Sequence, residues 1–119
     1  MDVRPKLVLN QGHQGDILIE RVTEIPKTAK RVKDIGAAVV IAHGEQGNTH
    51  QIIDILALAA IAAVHVDGEN IFVTTQTDGG AVVLDHECHA PAVCLPGETY
   101  LFGPKYEYEP GAPPKKTVD

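Results

Sequence analysis

Histidine and glutamate occur together in two short stretches of this chain. Four of the six histidines lie there, in His-Gly-Glu-Gln-Gly-Asn-Thr-His at residues 43–50 and His-Glu-Cys-His-Ala-Pro at residues 86–91. Imidazole and carboxylate groups are the usual components of metal sites and of proton-transfer sites. The pattern therefore indicates three possible roles: metal binding, acid–base chemistry, or bracing of the turns.

A divalent transition metal is the first chemical possibility. Two or three imidazoles with one carboxylate suit zinc, iron or manganese. Gly44 and Gly47 allow the first stretch to fold back on itself, so that its ends can approach the second stretch. The ligands would come from His43, Glu45, His50, His86 and His89.

The geometry of the second stretch decides how many of its histidines can share one ion. In a regular strand over residues 84–90, His86 and His89 point to opposite faces. A turn or bulge before Pro91 would bring them together. Because Pro91 favours an extended conformation at Ala90, we expect a site that uses one of the two histidines.

Structural bracing is the role that we favour, with Glu45 and His86 binding backbone amides of the turns. Under it no cofactor is expected. Catalysis has little support, because serine is absent from the chain and Cys88 is the only thiol next to an imidazole. In the metal alternative, a small β-barrel enzyme or binding module, Glu87 would act as the base.

Composition and charge restrict the possible partners. The net charge is −6, and the basic cluster Lys27, Lys30, Arg31 and Lys33 is interpreted as a solvated surface, so nucleic acid is not expected as a partner. The apolar stretch Ile52–Val66 is interrupted by Asp54 and is too short for a membrane span. Residues 1–10 contain no apolar run typical of a signal peptide. We expect Cys88 and Cys94 to be free thiols.

Hydrophobic runs and turn residues predict an all-β fold. The strand candidates are 17–22, 37–42, 71–75, 81–84 and a last strand from Thr99 that Gly103–Pro104 interrupts and Tyr106 resumes. Turn signals recur about every ten residues, which is typical of a small antiparallel β-sandwich or barrel. Residues 52–66 fit either one helix or two short strands.

The length of 119 residues suits one domain. We predict an extended arm at residues 1–11, a β domain at 12–108 and an extended proline-rich tail at 109–119. With aromatic residues at 4% and no tryptophan, the core must be largely aliphatic. Such a core favours additional stabilisation from oligomerisation or a bound ion.

Several motifs occur here in an order that resembles a family of small proteins from phages, prophages and some bacterial genomes. They are Gln14-Gly15-Asp16, the 43–50 stretch, the 86–91 stretch, Leu95-Pro96-Gly97-x-Thr99-Tyr100 and Tyr106-Glu107-Tyr108. The corresponding family signatures are Gly-Glu-x-Thr-Gly-His-x-His and His-Glu-Glu-His-Ala-Pro. The chain departs from them where Asn48 replaces a histidine and Cys88 replaces a glutamate.

The resemblance implies a phage origin. We therefore expect a capsid decoration (cement) protein of the virion, present in the host cytoplasm during assembly. Its expected partners are the major capsid protein and further copies of itself, with a trimer as the expected form. The two extended ends suit strand addition to an exposed sheet edge.

Overall fold

Two packed β-sheets form the body of the protein. The computed structural model describes residues 6–14, 17–33, 39–43, 49–52, 58–77, 82–86, 89–104, 106–107, 111 and 115–116. Within these residues nearly all regular structure is strand, which confirms the predicted all-β class.

The first sheet has five strands, which are β1 (Lys6–Val8), β5 (Val39–His43), β6 (Thr49–Ile52), β9 (Val82–His86) and β10 (His89–Cys94). Their order across the sheet is β1-β10-β9-β6-β5. The pairs are antiparallel except for β1 and β10, which run parallel.

The second sheet has six antiparallel strands, which are β2 (Gln11–Gln14), β3 (Ile17–Val22), β4 (Lys30–Arg31), β7 (Ile61–Asp67), β8 (Asn70–Thr75) and β11 (Thr99–Pro104). Their order is β2-β3-β11-β8-β7-β4. A separate two-stranded ladder joins β12 (Tyr106–Glu107) to β13 (Lys115–Lys116).

Both sheets contribute side chains to one core. In β3 the alternation of strand side chains buries Ile17 and Ile19, whereas Leu18 and Glu20 are only partly buried. The largest fully buried residues, Tyr100 and Phe102 in β11, pack in the same cluster as buried residues of the first sheet. The sandwich arrangement follows from this shared cluster.

The hairpin between β7 and β8 has the turn residues that its backbone conformation requires. Asp67 and Asn70 close β7 onto β8, and Gly68 adopts a positive φ of 61°, which glycine tolerates without steric cost. The next connection behaves differently, because β8 lies in the second sheet and β9 in the first. The chain therefore crosses from one sheet to the other between β8 and β9.

Residues 52–66, for which the sequence fits one helix or two short strands, contain both helical and strand backbone. Ile52 ends β6, Leu58 and Ala59 have helical backbone, and β7 begins at Ile61. Residues 53–57 lie outside the described residues. Strand β7 follows the β-branched part of the segment, as the propensities indicate.

Strand β11 continues through Gly103 and Pro104, so the predicted interruption at these residues is wrong. They pair with Leu18 and Ile17 of β3. On the other side, pairing with β8 extends only to Phe102. Pro104 therefore lies where the strand needs only one ladder partner, a position that proline tolerates.

Parts of both predicted end segments pair within the chain. Lys6–Val8, assigned to the N-terminal arm from the sequence, pairs with Ala92–Cys94, and Val8 is buried in the core. In the proline-rich tail, Lys115–Lys116 pairs with Tyr106–Glu107. Residues 1–5 and most of the tail lie outside the described residues.

Candidate functional site

The topology gathers the two histidine stretches at one end of the first sheet. Strand β5 ends at His43 and β6 begins at Thr49, while β9 ends at His86 and β10 begins at His89. Because β6 and β9 are antiparallel neighbours, the start of one lies beside the end of the other. Two stretches more than thirty residues apart in sequence therefore share one sheet end.

The strand register places His50, His86 and His89 side by side across three strands. Gln51 pairs with Asp85, so the next positions of this antiparallel ladder are His50 and His86. His86 and His89 are themselves register partners, and the ladder shifts between His89 and Ala92. Pro91 lies within this irregular part of the strand. A turn or bulge before Pro91 was the feature that, from the sequence, would bring His86 and His89 together.

The other two candidate ligands are placed differently. His43 pairs with Thr49, while Ala42 is the partner of His50, so His43 lies beside the histidine row and not within it. Glu45, Glu87 and Cys88 lie outside the described residues. Among the residues whose side chains the structure describes, no group of three His, Cys, Asp or Glu side chains could hold a metal ion.

His50 is fully buried and joined to the second sheet by Gln14. Its Nδ1 lies 2.8 Å from Oε1 of Gln14, and Nε2 of Gln14 donates to the carbonyl of Leu84 at 2.9 Å. His50 and Gln14 are 0% and 2% exposed. Since Gln14 belongs to β2, and His50 and Leu84 to β6 and β9, this contact ties the two sheets together. We call it the Gln14 tie.

The Gln14 tie also fixes the tautomer of His50. The donation to Leu84 identifies the nitrogen of the Gln14 amide, so the atom facing His50 is the oxygen, which can only accept. Nδ1 of His50 must then carry the hydrogen. In the neutral imidazole, Nε2 consequently carries the lone pair.

A second buried contact between the sheets lies at the opposite end of the sandwich. The Tyr100 hydroxyl donates to the carbonyl of Val8 at 2.9 Å and accepts from the amide of Leu95 at 3.0 Å. Tyr100 is 0% exposed, and burial raises the pKa of its hydroxyl. This Tyr100 tie connects β11 to the first sheet.

Sequence reasoning missed Gln14 as part of the site. It precedes Gly15-Asp16, and its strand, Gln-Gly-His-Gln, is polar throughout, so no hydrophobic alternation marks Gln14 as an inward residue. A buried glutamine is uncommon. Only the contact between the sheets reveals its role.

The remaining candidates show no catalytic arrangement in the described part of the chain. Cys94 is a buried free thiol, and desolvation by burial raises its pKa from 9.0 to about 12, which disfavours the nucleophilic thiolate. His65 lies in β7, with a buried Nδ1 that has no hydrogen-bond partner among the described residues. His13 is exposed in β2.

The basic cluster lies on the surface. Lys27, Lys30, Arg31 and Lys33 are exposed, and two of them form β4, an edge strand of the second sheet. Among the described residues, none of the helical structure has the length and hydrophobicity needed to span a membrane.

Comparison with known proteins identifies a family. Residues 13–103 match the family described as a domain of unknown function, DUF8820. No match was found among curated proteins or among solved structures. The matched region contains the Gln14 tie, Tyr100 and the three histidines of the row. Since it spans more than half of the chain, this protein belongs to the DUF8820 family.

Proposed function

We propose that this protein is a structural component of a phage virion that decorates the capsid. The β body would bind the major capsid protein and assemble as a homo-oligomer, with a trimer as the expected form. Its location would be the capsid surface, after a period in the host cytoplasm during assembly. The observation that carries the proposal is the exposed, leucine-bearing edge strand β1.

Strand β1 has the properties of a docking edge. Among the described strands it is the outermost one of the first sheet, and its described partner there is β10. Leu7 in the strand and Leu9 directly after it are 58% and 56% exposed, while Val8 between them is 3% exposed. Val8 thus anchors the strand in the core, and the flanking leucines face outward. Among the described residues, these two are the large hydrophobic side chains left exposed.

An exposed edge with apolar side chains is suited to strand addition. A partner strand can satisfy the backbone groups of the edge, while its own side chains cover the leucines. Solvent-exposed hydrophobic groups of this kind frequently mark protein–protein contacts. The motif resemblance supports a capsid protein as the partner.

The charge distribution is consistent with a protein partner. The net charge is −6, which disfavours a phosphate-rich partner because nucleic-acid binding needs clustered positive charge. We propose no direct contact with nucleic acid or with a membrane.

Co-sedimentation with empty capsid shells tests this proposal. The shells are assembled from the major capsid protein encoded in the same genome, and bound protein is measured in the pellet. We expect saturable binding of the wild type. In Leu7→Ser/Leu9→Ser, loss of about 1 kcal/mol of apolar burial per leucine should weaken binding roughly 30-fold.

A matched control changes the edge of the other sheet. Lys30→Ser/Arg31→Ser also replaces two exposed residues of an edge strand, and it should bind shells like the wild type. Circular dichroism confirms that both variants are folded. Absence of wild-type binding would refute the capsid proposal, and equal binding by all three proteins would refute the role of β1.

A further inference from the structure

We propose that strand β4 and the lysines beside it bind an extended acidic segment of a partner protein by strand addition. The binding surface, which we call the basic edge, consists of Lys27, Lys30, Arg31 and Lys33. This inference does not rest on capsid binding, because β4 belongs to the second sheet and β1 to the first. Either proposal can therefore fail without the other.

The first argument is the position of β4 in its sheet. Among the described strands it is the outermost one of the second sheet, and its described partner there is β7. One side of β4 therefore faces a strand of the protein, and the other side is an edge of the described sheet. Such an edge carries backbone groups that a further strand can satisfy.

The second argument is the direction of the backbone groups at Arg31. The amide of Val32 donates to the carbonyl of Val64 at 2.8 Å, one step beyond the pairing of Arg31 with His65. Hydrogen-bonded and non-hydrogen-bonded pairs alternate along antiparallel strands, so Arg31 and His65 form a non-hydrogen-bonded pair. The N–H and C=O of Arg31 consequently point away from β7 and towards the edge.

The third argument is the charge of the basic edge. All four of its residues are exposed, and in the part of the chain that the structure describes none of them forms an ion pair. Asp67 follows the register partner of Lys30, but its carboxylate accepts a hydrogen bond from Thr28 at 2.7 Å. Since the whole chain has a net charge of −6, the basic edge is a surface of opposite charge on an acidic protein.

Backbone and charge together indicate an acidic, extended protein segment as the occupant. Its backbone would pair with the outward N–H and C=O of Arg31. Its carboxylates would lie opposite Arg31 on one face of the strand and opposite Lys30 on the other, and cross-strand pairs of opposite charge stabilise strand pairing.

Nucleic acid fits the basic edge less well. It has no strand to add to the sheet, and residues 22–33 contain no aromatic side chain on which a base could stack. Lysines on edge strands also prevent pairing with unsuitable chains. An acidic strand is the partner that the same charges favour, so exclusion and recognition are two effects of one surface.

Fluorescence anisotropy with a labelled peptide tests the binding. The probe is Thr-Glu-Glu-Thr-Glu-Glu-Thr, which carries carboxylates on both faces when it is extended. We expect saturable binding that weakens as the NaCl concentration rises, because exposed charges are screened. Labelled oligothymidylate of equal charge should bind more weakly. Absence of peptide binding, or tighter binding of oligothymidylate, would refute the proposal.

Substitutions locate the binding surface. Lys30→Gln/Arg31→Gln should weaken peptide binding roughly tenfold, the effect of losing two exposed charge pairs. Lys115→Gln/Lys116→Gln is the matched control, because it changes the net charge equally but lies in the separate β12–β13 ladder; it should bind like the wild type. Equal loss in both variants, or loss in neither, would contradict the assignment to β4.

Amide hydrogen exchange of the wild type, measured by NMR, distinguishes strand addition from charge attraction alone and needs no variant that folds. In the free protein the Arg31 amide should exchange rapidly, whereas the Val32 amide, bonded to Val64, should exchange slowly. Saturating peptide should slow the exchange at Arg31 by roughly tenfold or more. Unchanged exchange at Arg31 with the peptide bound would overturn strand addition at β4.

Discussion

Replacing Gln14 by leucine should destabilise the protein strongly, although glutamine and leucine are similar in size. The substitution removes the buried hydrogen bonds to Leu84 and His50. It leaves a backbone carbonyl and a ring N–H without partners in the interior, each at a cost of about 1–3 kcal/mol. The expected loss is about 4 kcal/mol after allowing for both groups.

Gln76→Leu is a matched control for this change. Gln76 also donates from its amide nitrogen to backbone carbonyls, those of Ala59 and Ile61 at 3.1 and 3.3 Å. However, Gln76 is exposed, so water can replace the lost partner. We expect its substitution to change stability by less than about 1 kcal/mol.

Urea unfolding followed by circular dichroism distinguishes the two variants. With a slope of about 2 kcal/mol per molar urea, Gln14→Leu should lower the midpoint by about 2 M, and Gln76→Leu by less than about 0.5 M. If both midpoints shift equally, burial does not determine the cost, and the structural role assigned to the Gln14 tie is wrong.

Three further predictions concern the rest of the sandwich. Tyr100→Phe should cost about 2–4 kcal/mol in urea unfolding, because the Val8 carbonyl and the Leu95 amide lose their partner; a cost below 1 kcal/mol would contradict this. In a Cys88→Ala background, the free energy of unfolding in urea should fall by roughly 2–3 kcal/mol between about pH 8 and pH 11. The reason is that the Cys94 pKa is raised to about 12 in the folded state, so its stabilising contribution is complete below about pH 9 and is lost as the pH rises towards 12. Adding Cys94→Ala should remove most of this dependence. Gly97→Ala should cost about 1–2 kcal/mol in thermal unfolding, because Gly97 has a φ of 77°, and an unchanged melting temperature would refute that.

The sequence predicted strands β3, β5, β8 and β9 because their hydrophobic runs are short and bounded by turn residues. Strands β2, β4, β6 and β10 were not predicted. Strand β3 begins and ends as predicted, at Ile17 and Val22. For the last strand the local sequence predicts an interruption at Gly103–Pro104, whereas β11 includes both residues. The number of neighbours that β11 has at Pro104 depends on the sheet order, which local sequence does not contain.

The candidate site was predictable in composition but not in arrangement. The clusters of histidine and glutamate are visible in the sequence, whereas the adjacency of His50 and His86 depends on pairing between β6 and β9. Gln14 was not predictable as a partner, because a contact across two sheets leaves no periodic pattern in its own strand. Whether Glu45 and His86 brace the turns stays a prediction.

The Gln14 tie and the Tyr100 tie fix the relative position of the two sheets, which an aliphatic core alone does poorly. Branched aliphatic side chains bury surface without strong directional preference, so they fill the space between two sheets but fix their relative position poorly. Hydrogen bonds with buried partners are directional, and a shifted sheet would leave their groups unsatisfied. Gln14 lies near the start of β3, opposite Ile17, and Tyr100 lies near its other end, opposite Arg21. With one tie near each end of the sandwich, neither a slide nor a rotation of the sheets can preserve both, so we infer that these contacts select one packing among many of similar hydrophobic energy.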